Sequence, residues 1–183
     1  MYEVRVVVSK ILGQCTATPP MRPGDYITVR DGDIRIPEGG YICLWALQSM
    51  LPVLVLKERK SGESQDEDWV WRVHHVQCPD PDGRVIYRLV RSDEQVEVPP
   101  FRPLSPAAPA MPRPAGGLSD LRVVVEAVEG KCTSGMQPGD YFLLRSGRIY
   151  IPADRHFCLY ALQAALPLLT AKQRAHTEGD FLM

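Results

Sequence analysis

The sequence predicts an α+β protein built as two tandem repeats of one small antiparallel β-sheet domain, each of order β-β-β-α-β-β and packed on one central helix. Three observations lead there. Residues 5–59 align with 122–174 across a single two-residue gap, with 27 of 53 paired positions identical, and a self-match of that density fixes a repeat architecture before any finer reading. Each copy carries short β-branched runs separated by Gly, Asp and Pro turn signals, the pattern of hairpins. Each also carries one Leu/Ala-rich run of helical length.

Val4–Lys10 is rich in β-branched residues and reads as the first strand, followed by a loop at Gly13–Thr16 and a Pro23-Gly24-Asp25 turn. Tyr26–Arg30 and Ile34–Pro37 flank Asp31-Gly32-Asp33, a strong hairpin signal, and the second copy repeats it as Tyr141–Arg145, Ser146-Gly147 and Arg148–Pro152. Tyr41–Leu51 predicts a buried helix that Pro52 kinks or ends, because proline lacks the amide donor and clashes one turn back. Trp69–Gln77 and Arg84–Arg91 predict a second hairpin turning through Cys78–Gly83.

These elements divide the chain into a complete domain at 1–92, a linker at 93–119 and a second domain at 120–183. Seven of the 17 prolines fall in the linker, which reads as semi-rigid and unable to form a core. The second domain stops ten residues before the counterpart of Cys78 would fall, so its last hairpin is expected to be missing from the sequence given. Gln95–Val98 is the one spare strand-like run that could complete its sheet.

Charge narrows the function classes. Twelve Lys or Arg balance twelve Asp or Glu in 1–92, and seven balance seven from 120 onward. Neither copy has the cationic surplus that phosphate contacts demand, so nucleic acid is excluded as a partner. The N-terminus lacks the apolar core of a signal peptide, and no run approaches the ~20 apolar residues of a membrane span. The expectation is a cytoplasmic protein with reduced thiols, in which five cysteines are not disulfide staples.

Those cysteines are the candidate chemistry. Cys15 and Cys43 in the first copy recur as Cys132 and Cys158 in the second, while Cys78 has no counterpart among the 183 residues. A cysteine can be no more than a small buried hydrophobe. The chemical alternative rests on Cys43 and Cys158, expected in the first turn of each central helix, where unsatisfied amides and the dipole stabilise a thiolate. Cys15 and Cys78 could converge on the same helix end and give a thiol-lined pocket. Asp154 could cap the second helix.

A zinc site from Cys15, Cys43, His74 and Cys78 is conceivable, since His74 and Cys78 share one strand face, although no short Cys-x2-4-Cys pair supports it. Asp25 and Asp140 recur within Gly-Asp-Tyr and could orient a thiol or bind an amine, or else close a turn. Gln48, with Gln163, could face a pocket or solvent. No histidine is present in both copies to serve as a partner base.

The series Cys15, Gly24-Asp25, Ile42-Cys43-x-x-Ala46-Leu47, Leu51-Pro52, Cys78-Pro79-Asp80-Pro81 and Val85-x-Tyr87 resembles a bacterial family of single domains of about this size that carries no assigned activity. The resemblance spans 1–92 and again 120–174. It implies a bacterial cytoplasmic accessory protein. The chain departs from the family by its duplication and by lacking a histidine in the loop after the first cysteine, at Ala17–Met21 and Ser134–Met136.

Together these readings give a binding or accessory protein, with a small molecule or protein partner at a thiol-lined pocket and the two domains paired about a pseudo-twofold axis. The alternative is an enzyme that uses Cys43 or Cys158 as a nucleophile or redox thiol.

Overall fold

The computed structural model describes residues 1–59, 69–92 and 118–173. Gln95–Val98 and the rest of the proline-rich stretch through 117 lie outside the described residues. The described residues form an α+β fold, with two helices on antiparallel sheets.

In the first half, β1 (Val4–Ile11) pairs with β2 (Tyr26–Arg30), which turns into β3 (Asp33–Arg35). The turn fits its sequence: Asp31 and Gly32 both have positive φ, 55° and 80°, as a two-residue hairpin with the right twist requires. β4 (Ile42–Cys43) leads into α1 (Leu44–Lys57), and β5 (His75–Gln77) and β6 (Val85–Arg91) close the far side of β1. The second half gives β7 (Leu121–Val124), β8 (Tyr141–Arg145), β9 (Arg148–Tyr150), β10 (Phe157–Cys158) and α2 (Leu159–Lys172).

The halves do not keep separate sheets. One sheet runs β10-β3-β2-β1-β6-β5 and the other β4-β9-β8-β7, so each half lends its two-residue strand to the other. Phe157 pairs with Ile34 and Cys158 with Asp33; reciprocally, Ile42 pairs with Ile149 and Cys43 with Arg148. The first helical amides continue the exchange. Leu159 N–H donates to the Gly32 carbonyl at 2.7 Å and Leu44 N–H to Gly147 at 2.8 Å.

Residues 41–51 are therefore not all helical as the sequence suggests. Ile42 and Phe157 are extended and buried, 1% and 3% exposed, and β-branched and aromatic side chains suit that pleated, covered position. Burying each contributes roughly 1.5–3 kcal/mol. Phe157 packs edge-on against Phe142 at 4.8 Å, within a core that also takes in Val6, Ile27, Leu47, Leu51, Leu144 and Leu162.

Two further expectations are corrected in part. Pro52 does not end α1, which continues through it to Lys57, because Leu44, Leu47, Leu51 and Leu54 form one buried stripe whose packing outweighs a missing backbone bond. Of Trp69–Gln77, only His75–Gln77 is strand, and residues 69–72 form turns. Their carbonyls serve Lys57, wholly buried, whose Nζ donates to Val70 O at 3.4 Å and Trp71 O at 3.0 Å. A buried ammonium needs such partners. Among the described residues no helix is long and apolar enough to cross a membrane.

Candidate functional site

The start of α1 lies at the crossing where β4 joins β9. Cys43 ends the strand and is itself the N-cap, with extended backbone at φ −64° and ψ 128°, so it stands just before the first turn rather than within it. Its sulfur makes no short cap bond of the kind an oxygen makes. The amides of Trp45 and Ala46 nevertheless point at it, as N-cap geometry directs the second and third helical N–H groups.

The strongest influence on Cys43 comes from Cys78. The Cys78 thiol hydrogen-bonds to its sulfur and, with the two helix amides, holds Cys43 down to about 6 against the opposing effect of burial. Cys78 moves the other way: its bond to Cys43 and its own burial push it far above the usual thiol range. The charge belongs on Cys43 because two helix amides face it, whereas one amide, that of Asp80, faces Cys78.

The hairpin turn supplies Cys78 and fixes Cys15 beside it. Cys78 N–H donates to Val85 O at 2.8 Å, leaving the side chain 4% exposed. Asp80 Oδ2 accepts from Thr16 Oγ1 at 2.8 Å and its Oδ1 from Asp82 N–H at 3.0 Å. Burial opposes the Asp80 charge, yet these bonds with those from Gly83 hold its carboxyl below the ordinary value. Gly83 permits the approach, since a Cβ there would stand 3.1 Å from Cys15 Cα.

Two tyrosines mark the neighbourhood that the three thiols share. Tyr87 and Tyr41 are both raised, first by burial; the charges of Cys15 and Cys43 act on both, and that of Cys78 on Tyr87. The Tyr41 hydroxyl donates to the Pro19 carbonyl. Cys15, Cys43 and Cys78 thus gather at one helix end.

They do not gather as metal ligands. Among the described residues no three His, Cys, Asp or Glu side chains converge on a metal-sized site, so the zinc set of Cys15, Cys43, His74 and Cys78 is not assembled. His74 stands just before β5 and Cys78 just after it, and the His74 carbonyl accepts from Leu89 N–H at 2.8 Å.

In the second half Cys158 repeats the N-cap position, at φ −64° and ψ 123°, and Cys132 is partly buried. Asp154 does not cap α2: the helix begins five residues later, and Asp154 sits in a turn with φ 59°. His156 takes the place of Tyr41. Its Nε2 lies 2.8 Å from Ser134 O and 3.6 Å from Asp33 Oδ2.

The retained aspartates close turns. Asp25 Oδ2 accepts from Arg22 N–H at 2.7 Å and Asp140 Oδ2 from Gln137 N–H at 2.8 Å, and burial raises the Asp25 carboxyl despite that bond. Neither contacts a thiol. Gln48 and Gln163 are exposed on their helices and face solvent, not a pocket. Nothing in the sequence marks Tyr87, Tyr41 or Asp80 as part of a reactive site. Thr16, the partner of Asp80, follows Cys15 as Thr133 follows Cys132.

Comparison with protein families, curated proteins and solved structures gives no match to this chain.

Proposed function

We propose that the chain is a thiol redox module in which Cys43 is the reactive thiolate and Cys78 the resolving thiol, with the thiols at the start of α1 meeting a small thiol-reactive substrate. The observation that carries this reading is the hydrogen-bonded Cys43–Cys78 pair, one member held down to about 6 and the other pushed up. At neutral pH Cys43 is then a thiolate, the form that attacks, beside a protonated thiol that can follow.

With a disulfide RSSR, Cys43 S⁻ attacks one sulfur, forming Cys43–S–S–R and releasing RS⁻. Cys78 then attacks the Cys43 sulfur, an S–S bond forms, and the second RS⁻ leaves with the Cys78 proton as RSH. Two thiols lose two electrons and one disulfide gains them. A thiol-binding accessory role would use the same thiols.

The recurring motif series is best read as a tandem duplication within the bacterial family that the sequence resembles. A cytoplasmic setting suits it, since thiols there are kept reduced. The working site is assigned to the first half, where Cys43 and Cys78 act on each other, and the second half serves packing.

The test is treatment of the reduced protein with an aromatic disulfide. The wild type should release two equivalents of thiol from a fast phase and yield a Cys43–Cys78 peptide pair, while Cys78→Ser should stop at a mixed disulfide on Cys43. If all five thiols react only after denaturation, the proposal fails.

A further inference from the structure

Tyr87 is the largest of the fully buried side chains, 1% exposed, and its hydroxyl has no hydrogen-bond partner. An orphaned hydroxyl in an apolar site costs free energy and calls for a reason. β6 explains where it sits. Tyr87 lies between Val85 and Leu89 on the core-facing side, opposite Val76 of β5 and Val8 of β1, and diagonal to Cys78, whose amide is bonded to Val85. Cys43 and Cys15 pack against the same core cluster. The other tyrosine of this neighbourhood, Tyr41, is committed to Pro19.

Resting on the redox reading above, we propose that the oxidant of the Cys43–Cys78 pair is a hydroperoxide and that the Tyr87 hydroxyl receives the oxygen atom it leaves on Cys43. The chemistry of the acceptor selects the class. A disulfide brings only sulfur, a weak acceptor, whereas a hydroperoxide places an oxygen on the thiolate, and oxygen is what an uncommitted O–H donor serves. Burial and the neighbouring thiols raise Tyr87 well above its ordinary value, so the group remains a donor.

The steps balance as follows. Cys43 S⁻ attacks the terminal oxygen of ROOH; the S–O bond forms as the O–O bond breaks, giving Cys43–SOH and RO⁻, which takes a proton from water to give ROH and hydroxide. The sulfur loses two electrons and the peroxide gains them. Cys78 then attacks the Cys43 sulfur, the S–S bond forms, the S–O bond breaks, and the departing hydroxide leaves with the Cys78 proton as water. Tyr87 donates a hydrogen bond to that oxygen in both steps and is not consumed.

The experiment follows one reduced protein with two oxidants, hydrogen peroxide and the aromatic disulfide. In Tyr87→Phe the ratio of peroxide rate to disulfide rate should fall at least about tenfold, as when one oxyanion donor is lost. In Cys78→Ser, peroxide should leave a Cys43 sulfenic acid that dimedone traps, and adding Tyr87→Phe should slow its formation in proportion. Tyr87→Phe should also melt no lower than wild type, because it removes an unpaired buried hydroxyl. An unchanged rate ratio, or a lowered melting point that marks a structural bond, overturns the role of Tyr87 and of hydroperoxide. The redox reading fails separately, if neither oxidant joins Cys43 to Cys78 in the wild type.

Discussion

His156 and Asp33 meet across the junction of the two halves, Nε2 to Oδ2 at 3.6 Å, and the mirrored places in the other junction hold Tyr41 and Arg148, with the guanidinium 5.4 Å from the ring centre. The backbone pairing is the same on both sides, Cys158 with Asp33 and Cys43 with Arg148. The side chains are not. One junction joins a carboxylate to an imidazole and the other a cation to a phenol ring, so each strand finds a chemically distinct groove.

That pairing is testable as a double-mutant cycle. Asp33→Arg removes the acceptor facing His156 and should lower stability by about 1–2 kcal/mol. Asp33→Arg with His156→Tyr rebuilds the second junction's pair at the first, and should recover at least about 0.5 kcal/mol beyond the sum of the single changes. Urea unfolding of the four proteins measures the coupling, and strict additivity would show that the two side chains do not interact.

Thiol reactivity carries a second expectation. Alkylation of the native protein by iodoacetamide should show one fast site, Cys43, whose rate rises through a pH of about 6 and then levels. Cys78→Ala removes the hydrogen bond to the thiolate and should move that midpoint up toward the free-thiol range near 8.5. Cys158→Ser should leave the fast phase in place and cost about 1–2 kcal/mol of stability, the penalty for a small partly buried thiol made polar. Mass spectrometry of the labelled peptides reads all three.

The hairpins were legible because Asp-Gly and Ser-Gly turns state their own geometry, and Asp31, Gly32, Ser146 and Gly147 all take the positive φ those turns need. The crossing strands were not. A two-residue strand has no period of its own, and Ile42-Cys43 continues without a break into the Leu-rich helix, so only its partner in the other half reveals it. The gathering of Cys15, Cys43 and Cys78 follows from retained cysteines and a short fold. The orphaned hydroxyl of Tyr87 does not follow, since an alternating Val-x-Tyr-x-Leu strand reads as ordinary core. Gln48 and Gln163 left pocket and solvent open in the sequence, because a polar residue present in both halves can serve solvent contact alone, and both are exposed.

Glu58 supplies a prediction about pH. It is 2% exposed, its Oε1 accepts Gly32 N–H at 3.0 Å, and burial raises its carboxyl despite that bond. Asp25 and Asp33 are raised in the same direction by burial. A raised carboxyl binds its proton more tightly folded than unfolded, so its stabilising effect is present at low pH and is lost as pH rises from roughly 4 through the raised folded value. The second half already carries the neutral version: Gln173, at the matching place, donates from Nε2 to Ser119 O at 3.1 Å. Glu58→Gln should therefore be neutral to stabilising by about 1 kcal/mol at pH 7, with the gain vanishing below about pH 4. Thermal melts across that range decide it, and a loss at pH 7 would mean that the buried charge is used.

The two turn glycines should respond unequally to one methyl group. Gly32 and Gly147 have φ of 80° and 73°, and an alanine in that region costs about 1–2 kcal/mol through its backbone alone. At Gly147 nothing more is added, because the nearest atom to a new Cβ is Trp45 Nε1 at 3.9 Å, an ordinary contact. At Gly32 the new Cβ would stand 3.2 Å from Tyr160 Cε2. Tyr160 belongs to the first turn of α2, whose Leu159 amide is bonded to this same glycine's carbonyl. Pushing the ring away therefore strains the crossing of β10 onto β3 as well as the turn. Gly32→Ala should lose more stability than Gly147→Ala by about 1 kcal/mol, within the usual range of overpacking costs. Chemical denaturation of the two variants measures the difference, and equal losses would show that the ring yields freely and that the junction does not rest on this contact.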